Sequence, residues 1–142
     1  MTLTHDRRAE LLAACPLFQG IGADGLATLA SRAIQIDFPA GHVIARQGEI
    51  GTGFFVVITG KVRVVRDGTA VASLGPGEFF GELSVLDRQP RNAMVTADEP
   101  TSCLALASWD FEKVLLEQPA LTLAILRGVA TRLRQVTDSA RH

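Results

Sequence analysis

Residues 80–93 read Phe-Gly-Glu-Leu-Ser-Val-Leu-Asp-Arg-Gln-Pro-Arg-Asn-Ala and combine several features suited to binding an anion. Gly81 lets a ligand approach the backbone because no Cβ stands in the way. A short helix starting near Glu82 would present unpaired N–H groups and the positive end of its dipole. Arg91, directly after the helix-terminating Pro90, would add a planar set of donors for two oxygens of one phosphate. The stretch therefore predicts a phosphate site.

Glu82 restricts the kind of phosphate that this site could hold. A carboxylate is unfavourable beside a bare phosphate, but an ionised carboxylate accepts hydrogen bonds from hydroxyl groups. A phosphate with neighbouring hydroxyls indicates a nucleotide or a sugar phosphate. Spacing alone leaves open an ordinary surface ion pair between Glu82 and Arg91, which would contribute little.

The stretch resembles the phosphate-binding cassette of cyclic nucleotide-binding domains. In that cassette Phe-Gly-Glu-Leu-Ala is followed by a short loop, then by Pro-Arg and two small residues ending in Ala. The matching positions are Gly81, Glu82, Leu83, Pro90, Arg91 and Ala93, and Ser84 stands where Ala is usual. The resemblance implies that Arg91 holds the cyclic phosphate and that Glu82 accepts from the ribose 2′-hydroxyl. It further implies that backbone N–H groups of Leu83, Ser84 and Asn92 complete the site, with Ala93 closing the motif.

Asn92 bears on the identity of the nucleotide. The family usually has Ala, Ser or Thr at this position, and a Thr there is associated with a preference for cGMP. Its absence favours cAMP and leaves cGMP open. No cofactor beyond this ligand is implied.

A sequence of short strands precedes the cassette. From Ala33 onward apolar and polar residues alternate with a period of two, and glycine-containing corners separate the runs, including the hairpin signal Asp67-Gly68. This pattern predicts a mainly β, antiparallel sandwich or barrel. The upstream segments Pro39-Ala40-Gly41 and Arg46-Gln47-Gly48-Glu49 also match the family, whose fold is an eight-stranded jelly roll. Val64 and Val71 are candidate apolar walls against the base or ribose.

Helices are predicted on both sides of the strands. Residues 5–14 and 24–32 show helical spacing, the second with Asp24 as N-cap. After the last strand, Ser108 is expected to cap a helix in which Trp109 is a packing anchor rather than a lid over a purine. We therefore expect one domain, residues 1–142, with a helical segment at 1–32, a β-roll at 33–107 containing the cassette 80–93, and C-terminal helices at 108–139.

The last helix carries an apolar seam. Its 3-4-3-4 spacing is typical of a coiled coil and favours a homodimer, although the seam could also pack on the protein's own barrel; its residues are Leu126, Val129, Leu133, Val136 and Ala140. In the family this helix closes over the nucleotide and transmits occupancy. The resemblance makes Arg132 a candidate for stacking on the purine and Thr137 for contacting its edge.

Composition limits the remaining possibilities. A chain of 142 residues with 47% hydrophobic and 20% charged residues is long enough to bury a core. Its net charge of −1 gives no basic field for nucleic acid or an anionic membrane. Cys15 and Cys103 lack metal-ligand spacing and are expected to be buried free thiols. With neither a membrane-spanning apolar run nor a signal peptide in the sequence, we expect a cytoplasmic protein.

Other functions are less well supported by the residues. A winged helix-turn-helix follows the long helix in the bacterial activators that the chain resembles, but here the sequence stops at His142. We therefore expect a sensor without a DNA-binding domain, which is either free-standing or the regulatory domain of a larger regulator, channel or enzyme, with a fused or separate effector as a candidate partner. A cupin-like metal enzyme would need clustered histidines, whereas His5, His42 and His142 are scattered, so no enzyme is expected. A degenerate domain that dimerises without nucleotide is the third possibility, and the presence of Glu82 and Arg91 argues against it.

Overall fold

The N-terminal region forms two helices. The computed structural model describes residues 3–15, 18, 20–50, 53–81 and 88–140, with the side chains of residues 132 and 138–140 outside the description. Helix α1 spans His5–Ala13, and its N-cap Thr4 accepts a hydrogen bond from the Arg7 N–H at 3.1 Å. Helix α2 spans Ala23–Arg32 with Gly22 as N-cap. The prediction of an N-cap at Asp24 is therefore wrong, and Asp24 lies in the first turn, where its charge still complements the helix dipole.

The described residues form eight strands in two antiparallel sheets. The first sheet has the order β1-β8-β3-β6 and the second β2-β7-β4-β5. The strands are β1 Ile34–Phe38, β2 Val43–Ala45, β3 Gly53–Thr59, β4 Val62–Arg66, β5 Thr69–Leu74, β6 Phe79–Phe80, β7 Met94–Ala97 and β8 Thr101–Ala107. This arrangement confirms the predicted mainly β jelly roll with flanking helices.

Sheet β1-β8-β3-β6 is covered on both faces, which explains why β3 is an almost continuous apolar run. Phe54 and Val56 belong to the core cluster that also contains residues of the helices, whereas Val57 belongs to a second cluster between the sheets. Because successive side chains of a strand point to opposite faces, one run supplies both cores. Phe55, on the inner face, stacks on Phe80 of β6 with ring centroids 5.1 Å apart.

The two cysteines are buried thiols that form no disulfide with each other, as predicted. Cys103 lies in the cluster between the sheets with Val57 and Val95. Burial removes the thiolate from water and raises the pKa of the Cys103 thiol to about 12. The thiol therefore stays protonated and behaves as a small apolar side chain.

Two helices follow the last strand. Helix α3 spans Ser108–Glu117 and α4 spans Pro119–Ala140. Because β8 extends through Ala107, that residue is the N-cap and Ser108 is already helical, so the predicted Ser108 cap is wrong. Trp109 is 66% exposed and not a packing anchor, since Phe111 and Val114 form the buried face of α3.

Helix α4 packs on its own chain only through part of its length. Leu121 and Ile125 are buried, and Val129 is half-buried against the same cluster. Three residues of the predicted seam remain exposed, by 61%, 65% and 67%: Leu126, Leu133 and Val136. Within one chain, these three residues do not pack on the barrel.

No single helix among the described residues combines the length and hydrophobicity needed to cross a membrane. Helix α3 and the first part of α4 reach the necessary length and composition when taken together, but they are bent by 114°.

Candidate functional site

Gly81 lies where strand β6 ends against the start of β3. The pairing of Phe80 with Phe55 brings the next residue, Gly81, beside Gly53. Gly81 has φ +89°, and a Cβ at this position would lie 2.7 Å from Arg91 Nη1 and 2.7 Å from the Gly53 carbonyl oxygen. Both the backbone conformation and the lack of space require glycine. The structure therefore brings Gly81 and Arg91 together, although they are ten positions apart.

Arg91 is held by main chain and side chain. Its N–H donates to the Glu49 carbonyl at 2.7 Å, and its carbonyl accepts from the Gly48 N–H at 2.9 Å. The guanidinium is half-buried, and Nη2 donates to the Gly53 carbonyl at 2.8 Å. The segment after β2 thus holds the main chain of Arg91, and the first residue of β3 holds its guanidinium beside Gly81.

Asn92 follows with its backbone in a defined orientation. A trans peptide group is planar, so its N–H and C=O point in opposite directions. Since the Arg91 carbonyl faces Gly48, the Asn92 N–H points away from that segment, and it donates to no group among the described residues. The Asn92 carbonyl accepts from Arg66 Nε at 3.2 Å. Ala93, the next residue, is 7% exposed and leads into β7.

The two candidate wall residues differ in environment. Val64 is half-buried, packs against the cluster between the sheets and pairs with Ala72 and Val95. Val71 is 51% exposed. Its neighbours Ala72 and Ala70 pair with the consecutive residues Val64 and Val65, so the register between the strands skips Val71. Val64 thus lines the inner face of the second sheet, whereas Val71 bulges at its edge.

Several predicted site residues cannot be described at the side-chain level. Glu82, Leu83 and Ser84 lie outside the described residues, as does the side chain of Arg132 on α4. Thr137 is exposed, and its hydroxyl donates to the Leu133 carbonyl of its own helix at 2.9 Å. The roles predicted for these residues stay predictions.

Two residues that the sequence did not single out contact residues of the site, Gly53 and Arg66, and a third, Arg88, lies three positions before Arg91. Gly53 supplies the carbonyl that holds Arg91. Arg66 continues the inward-facing series of Val62 and Val64 on β4, and a charged residue at the end of such an apolar series was the signal that could have identified it. Arg88 forms an ion pair with Glu112 of α3, in which the single nitrogen Nη2 lies 2.6 and 2.5 Å from the two carboxylate oxygens.

The described residues contain no group of three or more His, Cys, Asp or Glu side chains that could hold a metal ion. The ligand-directed features are instead a guanidinium, a glycine without room for a side chain, and the outward-pointing backbone N–H of Asn92. Such donors suit an anion with several acceptor oxygens. Fold and site together describe a jelly-roll domain whose donors suit a small anionic ligand.

Known proteins agree with this description. Residues 35–118 match the family model described as Cyclic nucleotide-binding domain. The chain is 30% identical over 135 residues to the CRP-like cAMP-activated global transcriptional regulator of Mycobacterium tuberculosis, covering 92% of this chain and 60% of the regulator. It is 37% identical over 134 residues to a cyclic nucleotide-gated potassium channel of Mesorhizobium japonicum, covering 94% of this chain and 37% of the channel.

Among solved structures, the N-terminal domain of a transcriptional regulator from Streptomyces coelicolor A3(2) superposes with a TM-score of 0.79 at 35% identity, covering 87% of this chain and 90% of that one. The chain belongs to the cyclic nucleotide-binding domain family. It spans about 60% of the bacterial regulator and 37% of the channel that it resembles.

Proposed function

We propose that this chain is a regulatory module that binds a cyclic mononucleotide, cAMP in preference to cGMP, and couples its occupancy to movement of the C-terminal helices. The convergence of Gly81 and the Arg91 guanidinium, with a Cβ at residue 81 only 2.7 Å from Nη1, is the observation that carries the proposal. A guanidinium beside a side-chain-free backbone is suited to the two exocyclic oxygens of a cyclic phosphate.

The remaining contacts follow the sequence motif. Arg91 binds the phosphate, and the N–H groups of Leu83, Ser84 and Asn92 surround it, with Gly81 and Ala93 leaving room for its approach. Glu82 accepts from the ribose 2′-hydroxyl. Val64 contacts the base or ribose from the inner face of the sheet, with Val71 at the edge, while Arg132 and Thr137 approach the base from α4.

The preference for cAMP rests on two supports. Asn92 replaces the Thr that accompanies cGMP preference in the family, and the bacterial regulator that is 30% identical is described as cAMP-activated. The bound nucleotide shifts the position of α3 and α4 only by its differential affinity for the two arrangements. The shift is passed to a partner protomer or to an effector, fused or separate.

Titration calorimetry with cAMP and cGMP on the intact chain tests the proposal. We expect saturable binding with cAMP the tighter ligand. Arg91→Leu leaves a buried phosphate without its cation, so we expect a loss of about 2–5 kcal/mol in binding free energy, which corresponds to roughly tens to thousands of fold in affinity.

Arg63→Leu is the matched control. Arg63 lies on β4 next to Val64, but its side chain faces the other side of the sheet and pairs with Asp98 at 3.4 Å. Its loss should leave the affinity for cAMP within about twofold of the wild-type value. Wild-type affinity in Arg91→Leu, or absence of binding in the unmodified chain, would contradict the proposal.

A further inference from the structure

Arg88 has a backbone conformation that favours glycine. Its φ is +57°, in the left-handed region that costs a non-glycine residue about 1 kcal/mol or more. Among the described residues one other non-glycine residue has a positive φ, Asp67, and it belongs to the Asp67-Gly68 hairpin turn. Strained positions persist where the surrounding structure holds them in place.

The side chain of Arg88 supplies such a contact. Its Nη2 donates to both carboxylate oxygens of Glu112 at 2.6 and 2.5 Å, 24 positions along the chain. Glu112 follows the buried Phe111 on α3, and its own side chain is exposed. The ion pair therefore joins two segments that are distant from each other in sequence.

One of these segments leads to Arg91, and the other leads to helix α4. Arg88 is three residues before Arg91, and the main chain between them is anchored by the bridge from Pro90 to Ile50. Glu112 lies at the middle of α3, which leads within a few residues into α4. The ion pair thus provides a route by which a displacement of α3 would reach the segment that carries Arg91.

We propose that the Arg88–Glu112 ion pair links the phosphate-binding arginine to helix α3, so that Arg88 and Glu112 are positioning residues for nucleotide binding. The inference rests on the proposed function. Neither side chain contacts the ligand, and both act by holding the Arg88–Pro90 segment and α3 in one relative position.

The pair is solvent-exposed, since the two side chains are 72% and 48% accessible. Exposed ion pairs contribute little to folding stability. The effect of the pair is therefore expected in the affinity for nucleotide rather than in global stability. Because salt screens exposed charges, the effect should shrink as ionic strength rises.

A charge-exchange cycle tests the link. Affinity for cAMP is measured by calorimetry at low ionic strength for Arg88→Glu, Glu112→Arg and the double variant. Each single change places like charges together, and we expect cAMP affinity to fall about three- to tenfold. The double variant restores the pair with its charges exchanged, and we expect its affinity to return to within about twofold of wild type.

The pair formed by Arg7 and Glu10 on α1, 2.9 Å apart and likewise exposed, provides the control. Arg7→Glu, Glu10→Arg and their combination make the same charge changes away from the site and should leave cAMP affinity unchanged. Unchanged affinity in the Arg88 and Glu112 single variants, or a double variant that shows the product of the two losses, overturns the inference.

Hydrogen exchange provides a second measurement that does not depend on nucleotide. In Arg88→Glu, amides of α3 should exchange faster than in wild type, while Arg7→Glu should leave them unchanged. Unaltered exchange in α3 overturns the link even if the chain binds cAMP. If the wild-type chain binds no cyclic nucleotide, the proposed function fails and the affinity effect fails with it, whereas accelerated exchange would still establish the contact between the two segments.

Discussion

At the scale of single residues, the site depends on positions where a side chain is excluded as much as on positions where one is required. Gly81 has no side chain, and the Arg91 guanidinium lies against the space that a Cβ would occupy. Gly53 contributes only its carbonyl, which accepts from that guanidinium at 2.8 Å. The arginine is thus oriented by backbone groups, which move less than side chains.

The exclusion of a side chain at Gly81 can be tested by comparison with Gly77. The two glycines have φ of +89° and +87°, so alanine would adopt an unfavourable positive φ at both. A Cβ at residue 77 meets nothing within 4 Å, whereas a Cβ at residue 81 displaces Arg91. We expect Gly81→Ala to weaken cAMP binding about ten- to hundredfold by calorimetry, and Gly77→Ala to leave it within about twofold. Similar affinities in the two variants would contradict the role of Gly81.

At the residue level, the sequence predicts most where a motif carries the information. The glycine, the proline and the arginine of the cassette have fixed spacing, so the meeting of Gly81 and Arg91 was expected. The contacts of Arg66 with Asn92 and of Arg88 with Glu112 were not expected. They depend on which strand and which helix lie beside the cassette, and a local pattern does not contain that information.

At the scale of the elements, strand positions were predicted well because apolar alternation reports directly on burial. Helix starts were predicted less well. Ala107 serves both as the last residue of β8 and as the N-cap of α3, since its extended backbone at ψ 145° satisfies both. Trp109 was misplaced because its direction depends on helix phase: it lies about 200° around the helix from Phe111, and Phe111 faces the core.

The corner at Gly60 shows how strongly one position can constrain the packing of two elements. Gly60 joins β3 to β4 at φ +96°, and a Cβ there would lie 2.5 Å from Thr101 Oγ1 and 2.6 Å from the Pro100 carbonyl oxygen. Thr101 itself accepts from the Lys61 N–H at 3.2 Å, so the neighbouring strand start has little freedom to retreat.

Alanine at Gly60 is therefore expected to lower the free energy of unfolding by about 3 kcal/mol or more, measured by urea denaturation. Gly41 has φ +86°, and a methyl group added there would meet nothing within 4 Å, so Gly41→Ala carries only the backbone strain. That strain should cost about 1–2 kcal/mol. Equal losses in the two variants would show that the contact with Thr101 is relieved at small cost.

At the scale of the whole molecule, the sheet that carries Gly53 of the candidate site continues directly into the C-terminal helices. Sheet β1-β8-β3-β6 supplies Gly53 on one strand and passes through Ala107 into α3 on the next, and Gly53 pairs with Ala107. The sequence predicted these elements separately. Their connection could not be predicted, because strand register between distant segments is a property of the folded chain.

The exposed seam of α4 leads to a prediction about assembly. Leu126, Leu133 and Val136 fall within about 80° of one another around the helix, and each is more than half exposed. A face of this kind buries its apolar area when two α4 helices pair as a coiled coil. We therefore expect a homodimer whose dissociation constant is measurable by sedimentation equilibrium.

Leu133→Glu should weaken that dimer about a hundredfold or more, because each protomer loses a buried leucine worth about 1.5–3 kcal/mol and gains a charge at the interface. Thr131→Glu is the matched control: Thr131 is exposed and lies on the opposite side of α4, where its hydroxyl donates to the Arg127 carbonyl. It should leave the dissociation constant unchanged. A wild-type chain that stays monomeric at about 100 μM, or equal effects of the two variants, would exclude pairing through this seam.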